Sequence, residues 1–167
     1  MSDLKAAFER SERALTLRPS AGRSTGTTKV KIRDGLVCDI TSGPWQLVCD
    51  MPRGSGGTAT APTPGVYGRA ALGACLAITY QLWAAKLGVP IQSLEVEIQC
   101  DYDDGQLYGI EGAPRGYTEI RYIVSVESTA SEDEVRRVIG AADAHSPYLD
   151  VFGRAQTVVR TVEIKGA

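Results

Sequence analysis

The chain has 167 residues, 43% of them hydrophobic and 23% charged, and 18 basic against 20 acidic side chains leave a formal charge of -2. This is the make-up of one globular domain, and it excludes a disordered chain, a collagen and a small disulfide-stapled scaffold. No cationic excess exists to neutralise a phosphate backbone, so nucleic acid is not an expected partner.

Met1, Ser2, Asp3 and Leu4 begin no apolar leader, and the expected compartment is the cytoplasm. Residues 3–15 mix charges with Ala and Leu and read as a short helix or an arm, within an N-terminal segment of about residues 1–25. From Thr27 to Met51 the pattern becomes strand-like. Val30 and Ile32 alternate with Lys29, Lys31 and Arg33, and Leu36, Cys38 and Ile40 alternate with Val37 and Asp39. Ser42-Gly43-Pro44 marks a turn, after which Leu47, Cys49 and Met51 share one face. Cys38 and Cys49 lie equally far from that turn and are expected opposite one another. Residues 53–65 form a Gly/Pro/Thr loop.

Thr63 is a suitable N-cap and Pro64 a suitable first helical residue, with Gly88 and Pro90 as the stop. The predicted central helix therefore spans residues 64–88. Sixteen residues between Arg69 and Lys86 carry no charge. A helix apolar on nearly every side has to be buried on nearly every side. Sixteen residues fall short of the ~20 that cross a bilayer, so no membrane span is expected. One small sheet cannot cover such a helix. Gly68, Ala71, Gly73 and Ala77 are small enough for another helix to approach, which points to a second copy across a two-fold axis. The alternative is that the N-terminal segment covers it within one chain.

Leu94, Val96, Ile98 and Cys100 alternate with polar residues as a half-buried strand, and Ile120, Tyr122, Val124 and Val126 form another. Ser131 with Glu134 makes a capping box for a helix to about Ala144, Ser146-Pro147 opens a further short helix ended by Gly153, and Val158–Ile164 reads as a last strand. The order is that of an α+β fold, with antiparallel sheets packed on a long buried helix.

The four cysteines, at 38, 49, 75 and 100, form no CxxC pair, and the single histidine, His145, is distant from all of them in sequence. No metal site and no cofactor are expected from that spacing. Cys75 stands eleven residues past Pro64, mid-helix, beyond the reach of the helix dipole. Burial alone makes such a thiol inert, so a reactive Cys75 needs a cation delivered by another element. Read from its own residues, it is a small core side chain.

Four ordered segments change that reading. They are Asp50-Met51-Pro52 followed by Gly56-Gly57, Thr63-Pro64 followed by Ala74-Cys75, Arg33-Asp34-Gly35, and Ala144-His145-Ser146-Pro147-Tyr148. Together they resemble the OsmC/Ohr superfamily, named for osmotically inducible protein C and organic hydroperoxide resistance protein. The resemblance spans residues ~30–165 and makes the chain a single OsmC-like domain. It implies an intertwined homodimer with two central helices side by side, a peroxidatic cysteine that attacks an organic hydroperoxide, a resolving cysteine, and an arginine held by a glutamate. It also implies that external dithiols reduce the resulting disulfide.

Carried over residue by residue, the resemblance makes Cys75 the peroxidatic thiol and Arg33 its cationic partner, the latter with a one-residue insertion before Gly43. Gly65 stands at the glutamate position and Ser146 at the resolving position, so neither the clamp nor the disulfide is available in its usual form. His145 adjoins the site, either assisting or lying at its solvent edge. Two functions follow. One is a one-cysteine hydroperoxide reductase served by an external thiol. The other is a catalytically degenerate dimer whose pocket, with Tyr67, Trp83, Tyr148 and Phe152 as candidate lining, takes an apolar small molecule.

Overall fold

A computed structural model describes residues 2–166. Its regular elements are α1 (Ser2–Leu17), β1 (Lys29–Asp34), β2 (Val37–Ser42), β3 (Trp45–Cys49), α2 (Pro64–Leu87), β4 (Ser93–Tyr102), β5 (Tyr117–Glu127), α3 (Glu132–Asp143) and α4 (Pro147–Gly153), with 3-10 turns at Pro19–Gly22, Arg53–Ser55 and Asp104–Tyr108. The strands form two antiparallel sheets, β1-β2-β3 and β4-β5. This is the expected α+β class.

The first sheet follows from its alternation. Cys38 pairs directly with Cys49, and Ser42 with Trp45 closes the Gly43-Pro44 turn. Val30, Ile32, Cys38, Ile40, Leu47 and Cys49 therefore share one face. The loop after β3 is pinned by one carboxylate. Asp50 accepts the N–H groups of Met51, Thr58 and Thr60 at 2.7, 3.1 and 3.0 Å, and the hydroxyls of Thr58 and Thr60 at 2.6 and 3.1 Å. The Asp50 N–H in turn donates to Pro62 at 3.2 Å, which fixes where α2 starts. Gly57 is obligatory here, because a Cβ would sit 1.9 Å from the Met51 carbonyl oxygen.

Helix α2 begins with Pro64 at its first turn and ends in a Schellman motif. Gly88 adopts the left-handed conformation (φ 72°), and the Val89 N–H reaches the Ala84 carbonyl at 3.0 Å. Thr63 occupies the N-cap, but its side chain makes no capping bond; its carbonyl accepts from Val66 and Tyr67 instead. By length and composition α2 is apolar enough to cross a membrane. Its buried side instead packs within the fold, with Leu72, Leu76 and Tyr80 joining Ala142 in a core flanked by Val96, Ile98, Ile120 and Tyr122. Tyr80 donates to Asp143 at 2.6 Å and Tyr122 donates to the same carboxylate at 3.3 Å, tying α2, β5 and α3 together. The capping box at Ser131 and Glu134 is formed.

Two expectations are corrected. Gly73 faces strand β4, not another helix: a Cβ there would lie 3.2 Å from Ile98 Cγ1. The small residue lets the sheet approach. The N-terminal segment is helical and covers part of α2, through Phe8 edge-on to Trp83 and Lys86 paired with Glu12 at 2.6 Å. It does not cover all of it, since Val66, Ala70, Ala74 and Ile78, spaced four apart on one stripe, remain exposed. Finally, residues 155–166 carry no regular structure, so the strand expected at Val158–Ile164 is not formed within one chain. A strand needs an edge to pair with, and Val158 and Ile164 are 88% and 89% exposed.

Candidate active site

Cys75 lies on α2 one position beyond Ala74 of the exposed stripe, and it is half-buried. Its side-chain partner is Ser146, with Sγ and Oγ 3.7 Å apart across 71 residues of sequence. Ser146 is 3% exposed and is the N-cap of α4. Its oxygen accepts the Leu149 N–H at 3.4 Å, which leaves the hydroxyl proton free to point at sulfur. The chain thus brings together Cys75 and the residue at the second-cysteine position. A hydroxyl there can hydrogen-bond a thiolate but cannot form a disulfide.

The other expected residues lie elsewhere. Arg33, on β1, pairs with Asp39 of β2 at 3.3 Å, with 56% of its side chain exposed. Within the chain it makes no hydrogen bond or ion pair with Cys75. Its sheet is tied to α2 by a bond from the Tyr67 hydroxyl to the Val48 carbonyl at 2.6 Å. His145 is exposed, stacks on Trp83 with ring centroids 4.5 Å apart, and places Nδ1 2.7 Å from the Ala141 carbonyl. That contact fixes the proton on Nδ1. Tyr148 and Phe152 pack on one another at 6.5 Å.

Two of the remaining thiols are shifted upward by their surroundings. Burial pushes the Cys49 thiol up, with the paired Cys38 adding to the effect. Burial likewise pushes Cys100 up, partly offset by the Arg69 guanidinium. Among the described residues, no group of three or more His, Cys, Asp or Glu side chains is arranged to hold a metal.

Sequence reasoning missed three groups. Asp50 is held well below the usual carboxylate range, first by the Thr58 hydroxyl and then by the Thr60 N–H. Tyr80 is pushed above the usual phenol range by burial and by its bond to Asp143. Arg69 lines a cleft of about 440 Å3 between the start of α2 and the tip of the β4–β5 hairpin. Only the Asp50-x7-Thr58-x-Thr60 spacing left a trace in the sequence; the other two depend on elements brought together by folding.

Comparison with known proteins adds an independent line. The model of the OsmC-like protein family matches residues 56–162. Among solved structures, an OsmC-like protein from Mycoplasma pneumoniae superposes with a TM-score of 0.67 at 18% identity, covering 78% of this chain and 88% of that one. An organic hydroperoxide resistance protein OsmC from Legionella pneumophila gives 0.56 at 16% identity, covering 77% and 89%. The organic hydroperoxide resistance protein OhrB of Bacillus subtilis gives 0.51 at 19% identity, covering 77% and 90%. At these identities the likeness is one of fold. No curated protein sequence matches the chain.

Proposed function

Because the chain belongs to the OsmC-like protein family, we propose that it is a thiol-dependent reductase of organic hydroperoxides, acting as a homodimer with one reactive cysteine per centre. The observation that carries this reading is the 3.7 Å contact between Cys75 and Ser146. It sets the only half-buried thiol on α2 beside a hydroxyl free to stabilise negative charge on sulfur.

The Cys75 thiolate attacks the outer oxygen of the hydroperoxide. The O–O bond breaks, an alkoxide leaves and takes a proton to become the alcohol, and sulfur is oxidised to the sulfenic acid. With serine at position 146, an external thiol condenses with that sulfenic acid and releases water. A second external thiol displaces the first as a disulfide and returns Cys75 to the thiol, a cycle suited to the reducing cytoplasm. Arg33 supplies the cation that favours the thiolate. To do so it has to come from the second copy and release Asp39, with which it pairs within its own chain.

Three unpartnered apolar features support the second copy. These are the Val66/Ala70/Ala74/Ile78 stripe of α2, the open face of the β1–β3 sheet, and the residue 155–166 tail, whose alternating Val and Ile have no strand to pair with. Light scattering checks the dimer, and Ile78→Glu on the stripe is expected to give monomers. Turnover of cumene hydroperoxide with dihydrolipoamide checks the chemistry; Cys75→Ser is expected to fall to background. Equal background rates in wild type and variant refute it. The Arg33–Asp39 pair and Gly65 at the glutamate position favour the second reading, a degenerate dimer that binds an apolar molecule without turning it over.

A further inference from the structure

Cys75 is not among the residues that line the cleft at the start of α2. Arg69 lines it, and this arginine differs from the rest. Every other described arginine is exposed, and Arg33, Arg121, Arg136 and Arg154 each meet a carboxylate. Arg69 is half-buried and makes no hydrogen bond or ion pair with any described residue. A guanidinium keeps its proton in a protein, so its charge and its five N–H donors have to be met by solvent or by a bound anion.

Gly65 gives this group its room, because a Cβ there would stand 3.3 Å from Arg69 Nη1. The walls beside it are apolar and aromatic. Tyr102 and Tyr117 meet edge to face with centroids 6.2 Å apart, and Leu107 and Met51 line the same space. Two carboxylates, Asp103 and Asp104, also line the cleft. Asp103 is committed to the Gly105 N–H at 2.7 Å, while Asp104 is exposed. A second anionic group on a ligand would face both of them.

We propose that this cleft binds an amphipathic monocarboxylate, its carboxylate on the Arg69 fork and its apolar body against Tyr102, Tyr117 and Leu107. The volume of about 440 Å3 lies within the usual range for a small-molecule site. A fork of paired N–H donors suits a carboxylate, and the arrangement rejects an alcohol, which lacks the charge, and a dicarboxylate, which meets Asp103 and Asp104. The site does not depend on a reactive Cys75.

Calorimetric titration of the full chain with octanoate, 1-octanol and suberate tests this. Octanoate is expected to bind saturably and more weakly as salt rises, with both analogues weaker by about tenfold or more. Arg69→Gln should weaken octanoate by a similar factor, Arg69→Lys should retain part of the affinity, and Cys75→Ser should change nothing. Far-UV circular dichroism checks that the variants are folded. If Arg69→Gln does not fold, the ligand comparison on the wild type decides alone. Octanol binding as tightly as octanoate, no saturable binding at millimolar octanoate, or unchanged affinity in a folded Arg69→Gln protein overturns the proposal. Loss of binding in Cys75→Ser also overturns it.

Discussion

Substituting Ser146→Cys would test the geometry of the candidate centre directly. In the folded chain the two side-chain tips are already 3.7 Å apart, and a disulfide requires closure to about 2.05 Å. The bond would close a loop of 71 residues, and the chain-entropy relation assigns such a loop about 4.4 kcal/mol at 25 °C. Against this, the variant loses a serine N-cap on α4, costing about 1 kcal/mol. The net gain of about 3 kcal/mol corresponds to a rise of roughly 10 °C in Tm for a chain of this size. One equivalent of cumene hydroperoxide should make the variant lose two thiols together, measured by thiol titration in denaturant, with dithiothreitol restoring both. Oxidised variant should melt above reduced variant. If only one thiol is lost, or if the melting temperature is the same in both states, Cys75 and position 146 are not placed as described and the reading of the centre fails.

Three further outcomes follow from the packing. Tyr80→Phe leaves a half-buried Asp143 oxygen without its donor at 2.6 Å and should cost about 1–2 kcal/mol in urea unfolding; Tyr122→Phe, which removes a bond of 3.3 Å, should cost less, and equal small losses would show that Asp143 does not tie these elements. Asp50 has a depressed pKa in the folded chain, so the unfolded state binds more protons below about pH 4 and stability should fall as pH drops through that range. Asp50→Asn should lower stability at pH 7 and flatten that acid limb, and an unchanged pH profile would refute the pinning role. Gly57→Ala drives a Cβ to 1.9 Å from the Met51 carbonyl oxygen; the loop must rearrange, with a loss of about 4 kcal/mol or more or failure to fold, and a melting curve matching wild type would overturn the close approach.

The local elements were legible because each is set by neighbours in sequence. Pro64 and Gly88 bound α2, the Ser131/Glu134 box starts α3, and period-two alternation defines the five strands that form. The register that faces Cys38 with Cys49 followed from the Ser42-Gly43-Pro44 turn, which leaves no freedom to slip. The long uncharged run also announced a helix that one chain cannot fully cover.

Tertiary structure decided what lies between elements. Gly73 reads equally as a seat for a helix or for a strand, and only folding showed Ile98 above it. Val158–Ile164 has strand composition, yet composition does not supply an edge, and within one chain it stays irregular. Cys75 and Ser146 are separated by 71 residues and meet only because Tyr80, Tyr122 and Asp143 draw α3, and with it the start of α4, against α2. Arg69 looked like the charged edge of an apolar run; its isolation arises from Gly65, four residues earlier, and from a hairpin tip formed by residues more than thirty positions away. Sequence fixes periodicity and caps because these are short-range backbone choices, whereas a site depends on distances that exist only after the chain has closed on itself.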